Sequence, residues 1–163
     1  LNIVNSVFSL KNIFIESSFA DSVDIDFSEG LIEGIRIYNS GNDGLDFSGS
    51  QISLNDVYIN KSNDKAFSVG ENSRVKVESV TINNSNIGLA VKDGSLIDAR
   101  NVSLNSNRID YVSFIKKEEY SAPELKVIDG SINFNFLLGE NSKMTINGNE
   151  ISKITKNIKE LLY

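Results

Sequence analysis

The chain has 163 residues, a net charge of -6, and neither histidine nor cysteine. This excludes histidine-based triads, imidazole general bases, disulfides and the usual zinc sites. No cluster of Lys and Arg is large enough to track a phosphate backbone, so nucleic acid is not an expected partner. No apolar run approaches the ~18 residues that a membrane span needs, so none is expected.

From its first residues the chain is apolar. Leu1, Ile3 and Val4 lead at once into a full repeat without the polar cap that a solenoid end needs. The expectation is a module in 1–150 whose first coils, or an upstream domain, lie outside this sequence.

An interval of about 22 residues then governs the pattern. Ile13, Ile35, Val57, Val80 and Val102 form one column, with steps of 22, 22, 23 and 22, and Ile15, Ile37, Ile59, Ile82 and Leu104 form its neighbour. Leu10, Ile32, Leu54, Val77 and Ala99 mark a preceding strand. Val23, Leu45, Phe67 and Leu89, with Ile25, Phe47, Val69 and Val91, mark a following one.

Within each strand the apolar residues lie two apart, the alternation of a half-buried strand. A helical repeat would space them at three and four, and the dense consensus of leucine-rich repeats is missing. The expected fold is all-β: a right-handed parallel β-helix with about 22 residues and three short strands per coil. Equivalent strands then stack at roughly 4.8 Å, and seven or so coils make a rod of about 30 Å. Ser40, Ser62, Asn84 and Ser106 recur at the same interval and are expected to form a hydrogen-bonded turn ladder.

The register brings acids together. Asp21 falls below Asp43, and Asp24 below Asp46, with Lys65 next in the Asp21 and Asp43 column. Two carboxylates about 4.8 Å apart repel by roughly 1 kcal/mol in water, and by 3 or more at an effective dielectric near 20. Lys65 supplying the counter-charge internally is the favoured reading. Calcium held by Asp21, Asp24, Asp43 and Asp46 is the alternative, since hard oxygen ligands suit it; otherwise no cofactor is expected.

Between Val102 and Ile132 the step grows to 30, so about eight residues are inserted, within 115–124 and around the sole proline, Pro123. Lys116, Lys117 and Tyr120 occupy this excursion, where a loop on a rigid wall is a common ligand contact. The period finally changes at Ile151, Ile154, Ile158, Leu161 and Leu162, whose spacing predicts a short amphipathic helix in 151–163 that caps the open core.

Two resemblances bear on function. Asn42-Asp43-Gly44-Leu45-Asp46, Asn63-Asp64-Lys65 and Asn86-Ile87-Gly88-Leu89 look like a degraded version of the successive motifs of polygalacturonase-type glycoside hydrolases. That likeness implies acid and base roles for Asp43 and Asp64, but Asn63 stands where a second acid would be and the histidine is missing.

The longer series Asp21-x-x-Asp24, Asn42-Asp-Gly-Leu-Asp46, Asp64-Lys65-Ala-Phe-Ser68, Lys92-Asp93-Gly94-Ser95 and Lys116-Lys117-x-x-Tyr120 resembles right-handed β-helix modules of the pectin-lyase-like superfamily. Such modules occur in bacterial surface or secreted proteins, some beside a spore-coat-H-type kinase-like domain. The resemblance implies an extracytoplasmic setting and brings no reaction.

Lyases of that superfamily imply carboxylate-bound calcium, here Asp24, Asp43 and Asp46, with a basic residue such as Lys65, Lys92 or Lys116. Acidic neighbours raise a lysine's pKa, which opposes that role. The expectation is therefore a non-catalytic module whose polar face contacts a polysaccharide or adjacent domains through Asp21, Asp24, Asp43, Asp46, Asp64, Lys65, Lys116, Lys117 and Tyr120. The rivals are a structural spacer and a polysaccharide-active enzyme using Asp43, Asp46, Asp64 and Lys65.

Overall fold

A computed structural model describes residues 1–131 and 135–163 of the chain. Its strands, in order, are β1 Asn2–Val4, β2 Val7–Ser18, β3 Val23–Asp26, β4 Glu29–Ser40, β5 Leu45–Ser48, β6 Gln51–Ser62, β7 Lys65–Gly70 and β8 Arg74–Val77. There follow β9 Val80–Asn83, β10 Ile87–Lys92, β11 Leu96–Asn105, β12 Ile109–Phe114, β13 Glu124–Gly130, β14 Phe136–Leu138, β15 Lys143–Ile146, β16 Asn149–Glu150 and one helix, α1 Ile158–Leu162.

Long and short strands alternate because each coil has three sides and one soft corner. In the first three coils the first two sides run on as a single bent strand, turned by one left-handed residue at Asn12, Gly34 or Asp56. In the fourth coil the same corner separates β8 from β9. The second corner carries Ser17, Asn39, Lys61, Asn84 and Ser106 at positive φ, and the third carries Asn5, Phe27, Gly49, Glu71 with Asn72, and Asp93 with Gly94. Asn, Asp and Gly tolerate this region best, which accounts for their recurrence in the turns.

All neighbouring strands pair in parallel except β15 and β16, in two sheets ordered β1-β3-β5-β7-β10-β12-β14 and β16-β15-β13-β11-β8-β6-β4-β2, with β9 joining β6 to β11. The result is a parallel β-solenoid of about six turns, rather than the seven expected. Ile35, Val57, Val80 and Val102 meet in register, as do Leu45, Phe67, Leu89 and Tyr111. These columns are buried in one continuous core, where the Phe47 and Phe67 rings meet edge to face at 5.6 Å. The single 23-residue step falls where Glu71 and Asn72 give the third corner an extra left-handed residue.

Four expectations need correction. The turn ladder runs from Ser62 to Ser85 and Asn107, not to Asn84 and Ser106, which take the exposed left-handed positions. Ile132 lies outside the described residues, and the register of Leu96 with Glu124 and of Val102 with Gly130 gives a step of 28, six residues more than 22.

The helix is confined to Ile158–Leu162 because Ile151 and Thr155 are tied by backbone bonds to neighbouring strands and residues 156–157 form a turn with Asn157 left-handed. Ile151 N–H donates to Met144 O at 2.9 Å, and Thr155 N–H donates to Leu138 O at 2.7 Å. Nor does the helix lie over the core. The antiparallel β16 and Ile151 close that end, while Ile158 and Leu162 pack on a separate outer patch of Ile87, Ala90, Ile109, Val112 and Phe114.

A second ladder went unread in the sequence. The backbone amides of Ser6, Ser28, Ser50 and Ser73 each donate at 3.0 Å to the hydroxyl of Ser28, Ser50, Ser73 and Ser95, one coil on. Its steps of 22, 22, 23 and 22 were there to be found.

Candidate functional site

The third side of the solenoid, formed by β3, β5, β7, β10 and β12, gathers most of the candidate residues. Inward positions hold Val23, Leu45, Phe67 and Leu89, so the intervening residues face outward. One outward column reads Asp24, Asp46, Ser68, Ala90 and Val112 in register. The face thus passes from acidic to polar to apolar along the rod, and the C-terminal segment covers its apolar end.

At the edge of this face Lys65 is 2% exposed and forms the centre of an ion-pair cluster. Its ammonium lies 3.8 Å from Asp43 Oδ1 and also bonds Asp64, while the ring of Tyr163 stands 5.2 Å away. Asp43 Oδ1 accepts a hydrogen bond of 2.8 Å from the backbone amide of Lys65. Asp21 repeats that contact one coil earlier, accepting from the Asp43 amide at 2.8 Å and from Asn42 Nδ2 at 2.7 Å.

Burial pushes the Asp43 carboxyl up to about 6, against the opposing pull of Lys65. Burial alone would lower Lys65, but Asp43 and Asp64 outweigh it and hold the ammonium above the ordinary lysine value. A lysine so held stays charged and is a poor proton acceptor.

Asp24 and Asp46 are half-buried and face outward, and Asp26, which the sequence reading passed over, joins them. Its position two residues after Asp24 in a strand was signal enough. Burial first, then Asp26, Asp46 and Asp21, raises Asp24, whose one side-chain partner is Asn2 at 2.8 Å. Burial first, then Asp46 and Glu71, raises Asp26.

The inserted loop is anchored by Asp93, also missed, which is 1% exposed and accepts from the amides of Lys116 at 2.7 Å and Lys117 at 2.8 Å. Lys117 reaches across two coils to Glu71 at 2.5 Å. Lys116 lies 4.6 Å over the Tyr163 ring, so the loop and the ion-pair cluster share one aromatic cover. Tyr120 remains in the loop, its amide closing a turn onto Lys117 O at 3.2 Å.

The structure therefore brings Asp43, Asp64, Lys65 and Lys116 together around Tyr163 and places Asp24 and Asp46 beside them. Asp21 is engaged with backbone, and Lys117 with Glu71. The set Asp21, Asp24, Asp43 and Asp46 does not form a cage: the first and third carboxylates serve the amides of the next coil while the other two face outward. Among the described residues no group of three acids converges on a point that a metal ion would occupy, and no helix is long and apolar enough to cross a membrane. No family model, curated protein or solved structure matches the chain.

Proposed function

We propose that this β-solenoid is a non-catalytic contact module that presents its acidic third face to a cationic partner, either a polysaccharide bearing amino groups or a basic surface of an adjacent domain. The setting we assign is extracytoplasmic, in keeping with the surface and secreted β-helix modules that the sequence resembles. One observation carries the reading: Lys65 is enclosed and held by Asp43 and Asp64, whereas Asp24, Asp26 and Asp46 stand together on the accessible face with no cation paired to any of them among the described residues. Repulsion among these acids is relieved when a positive group arrives, so they favour complementary contact over chemistry.

Binding to an array of cationic, neutral and acidic glycans at low ionic strength tests the reading. Retention of the cationic members is expected, with loss on raising the salt and in the combined Asp24→Asn, Asp26→Asn and Asp46→Asn variant. Equal binding by that variant would overturn the assignment of the face. Release of reducing ends, or of an ultraviolet-absorbing unsaturated sugar, would overturn the non-catalytic reading.

A further inference from the structure

Beside the acids, the third face holds two buried polar side chains whose polar groups have no partner. Ser68 is fully buried and its hydroxyl has no hydrogen-bond partner. The Lys92 side chain is also buried, at 8% residue exposure, and its ammonium forms no ion pair or hydrogen bond among the described residues. A hydroxyl withdrawn from water without a partner carries a free-energy cost, which a ligand supplying an acceptor removes, and an unpaired ammonium beside it supplies the charge that attracts an anion.

The two lie on adjacent rungs. Ser68 pairs with Ala90, and the stem of Lys92 reaches back over Gly70, where an added Cβ would lie 3.5 Å from Lys92 Cε. Lys65 and Lys116 flank them, both with ammonium groups over the Tyr163 ring. Three lysines are set against Asp43, Asp46, Asp64 and Asp93, so the neighbourhood carries no surplus of positive charge. It accommodates one further negative charge better than two.

We propose that Ser68 and Lys92 form a binding site for a single carboxylate group, with the Ser68 hydroxyl donating to one oxygen and the Lys92 ammonium to the other. Tyr163, 62% exposed and held to Lys65 and Lys116 through its ring, is the cover that swings aside. The planar carboxylate matches two donors, and the nearby aspartates disfavour a phosphate dianion. The site stands apart from the acidic-face contact, since it takes a ligand of the opposite charge.

Amide-resolved titration of the intact chain with acetate, and with inorganic phosphate at equal ionic strength, is the test. Saturable shifts at Ser68, Ala90 and Lys92 are expected with acetate and weaker ones with phosphate. Lys92→Met keeps the apolar stem and should weaken acetate binding about tenfold, and Ser68→Ala several-fold with thermal melting unchanged. Tyr163→Ala should tighten binding several-fold.

A short peptide with a free C-terminus, compared with its amidated form, separates the sources of the carboxylate. Binding much tighter than acetate identifies a polypeptide end, and equal binding identifies a free small acid. Absence of saturable shifts, or shifts unchanged in both Lys92→Met and Ser68→Ala, would overturn the site. Asp24→Asn with Asp26→Asn should leave acetate binding intact, so failure here is distinct from failure of the acidic-face reading.

Discussion

Asp43 shows how one side chain is made to serve structure at an electrostatic cost. Its carboxylate accepts the Lys65 amide and stands 3.8 Å from the Lys65 ammonium, yet burial wins and the group titrates near 6 instead of 3.8. Between those two values the folded chain holds a proton that the unfolded chain has already released, so stability falls as pH rises from about 4 to about 6 and levels off above. The full span corresponds to about 3 kcal/mol. Asp24 and Asp26 are shifted in the same direction and add to the slope. Melting temperature measured across this window should therefore decline towards neutral pH. Asp43→Asn, which keeps an acceptor for the Lys65 amide, should flatten the decline while leaving the part due to Asp24 and Asp26. An identical slope in the variant would show that burial of Asp43 is not its source.

Among the elements, the strand columns could be read directly because pairing repeats identical side chains at a fixed interval, and the core selects apolar residues at alternate positions. Ile35, Val57 and Val80 needed no knowledge of the rest of the chain. Corners were harder to place, since a left-handed residue is interchangeable among Asn, Asp, Ser and Gly, and a one-residue shift moved the ladder from Asn84 to Ser85. The pairing of Lys65 with Asp43 followed from the same register. What no local pattern announced was Tyr163 returning from the far end of the chain to lie over Lys65 and Lys116. The terminal helix was misjudged for a related reason: its apolar spacing is real, but Ile151 and Thr155 are drawn into backbone bonds with Met144 and Leu138. The five helical residues that remain lack a side-chain cap and are far below the length at which an isolated helix persists. Contact of Ile158 with the Ile87, Val112 and Phe114 patch is thus what holds them. Ile158→Asp should free the segment, increase binding of a hydrophobic dye and raise amide exchange in 155–163, with the coils before β14 unchanged. Unfolding of those coils in step with the helix would show that the segment is integral to the solenoid.

At the scale of the whole molecule, the strands of each coil pair only with those of its neighbours, so stability accumulates along the rod and each end is governed by how its edge is treated. One end is closed by the antiparallel turn of β16 onto β15. The other exposes the outer edge of β2 with Val7 at 86% and Phe14 at 65%, and Phe19 just beyond it at 100%, while Ile13 and Ile15 are only partly covered. An unpaired edge flanked by apolar side chains is a template for further strands. The chain as it stands should accordingly associate through this end as its concentration rises. Placing charge on the edge should oppose association without disturbing the core, because Val7 and Phe14 point away from it. Sedimentation of the chain and of a Val7→Lys, Phe14→Lys variant over a range of concentrations decides the matter: the variant should stay monomeric with a melting temperature within a few degrees of the parent. Equal association by both would place the contact elsewhere on the rod.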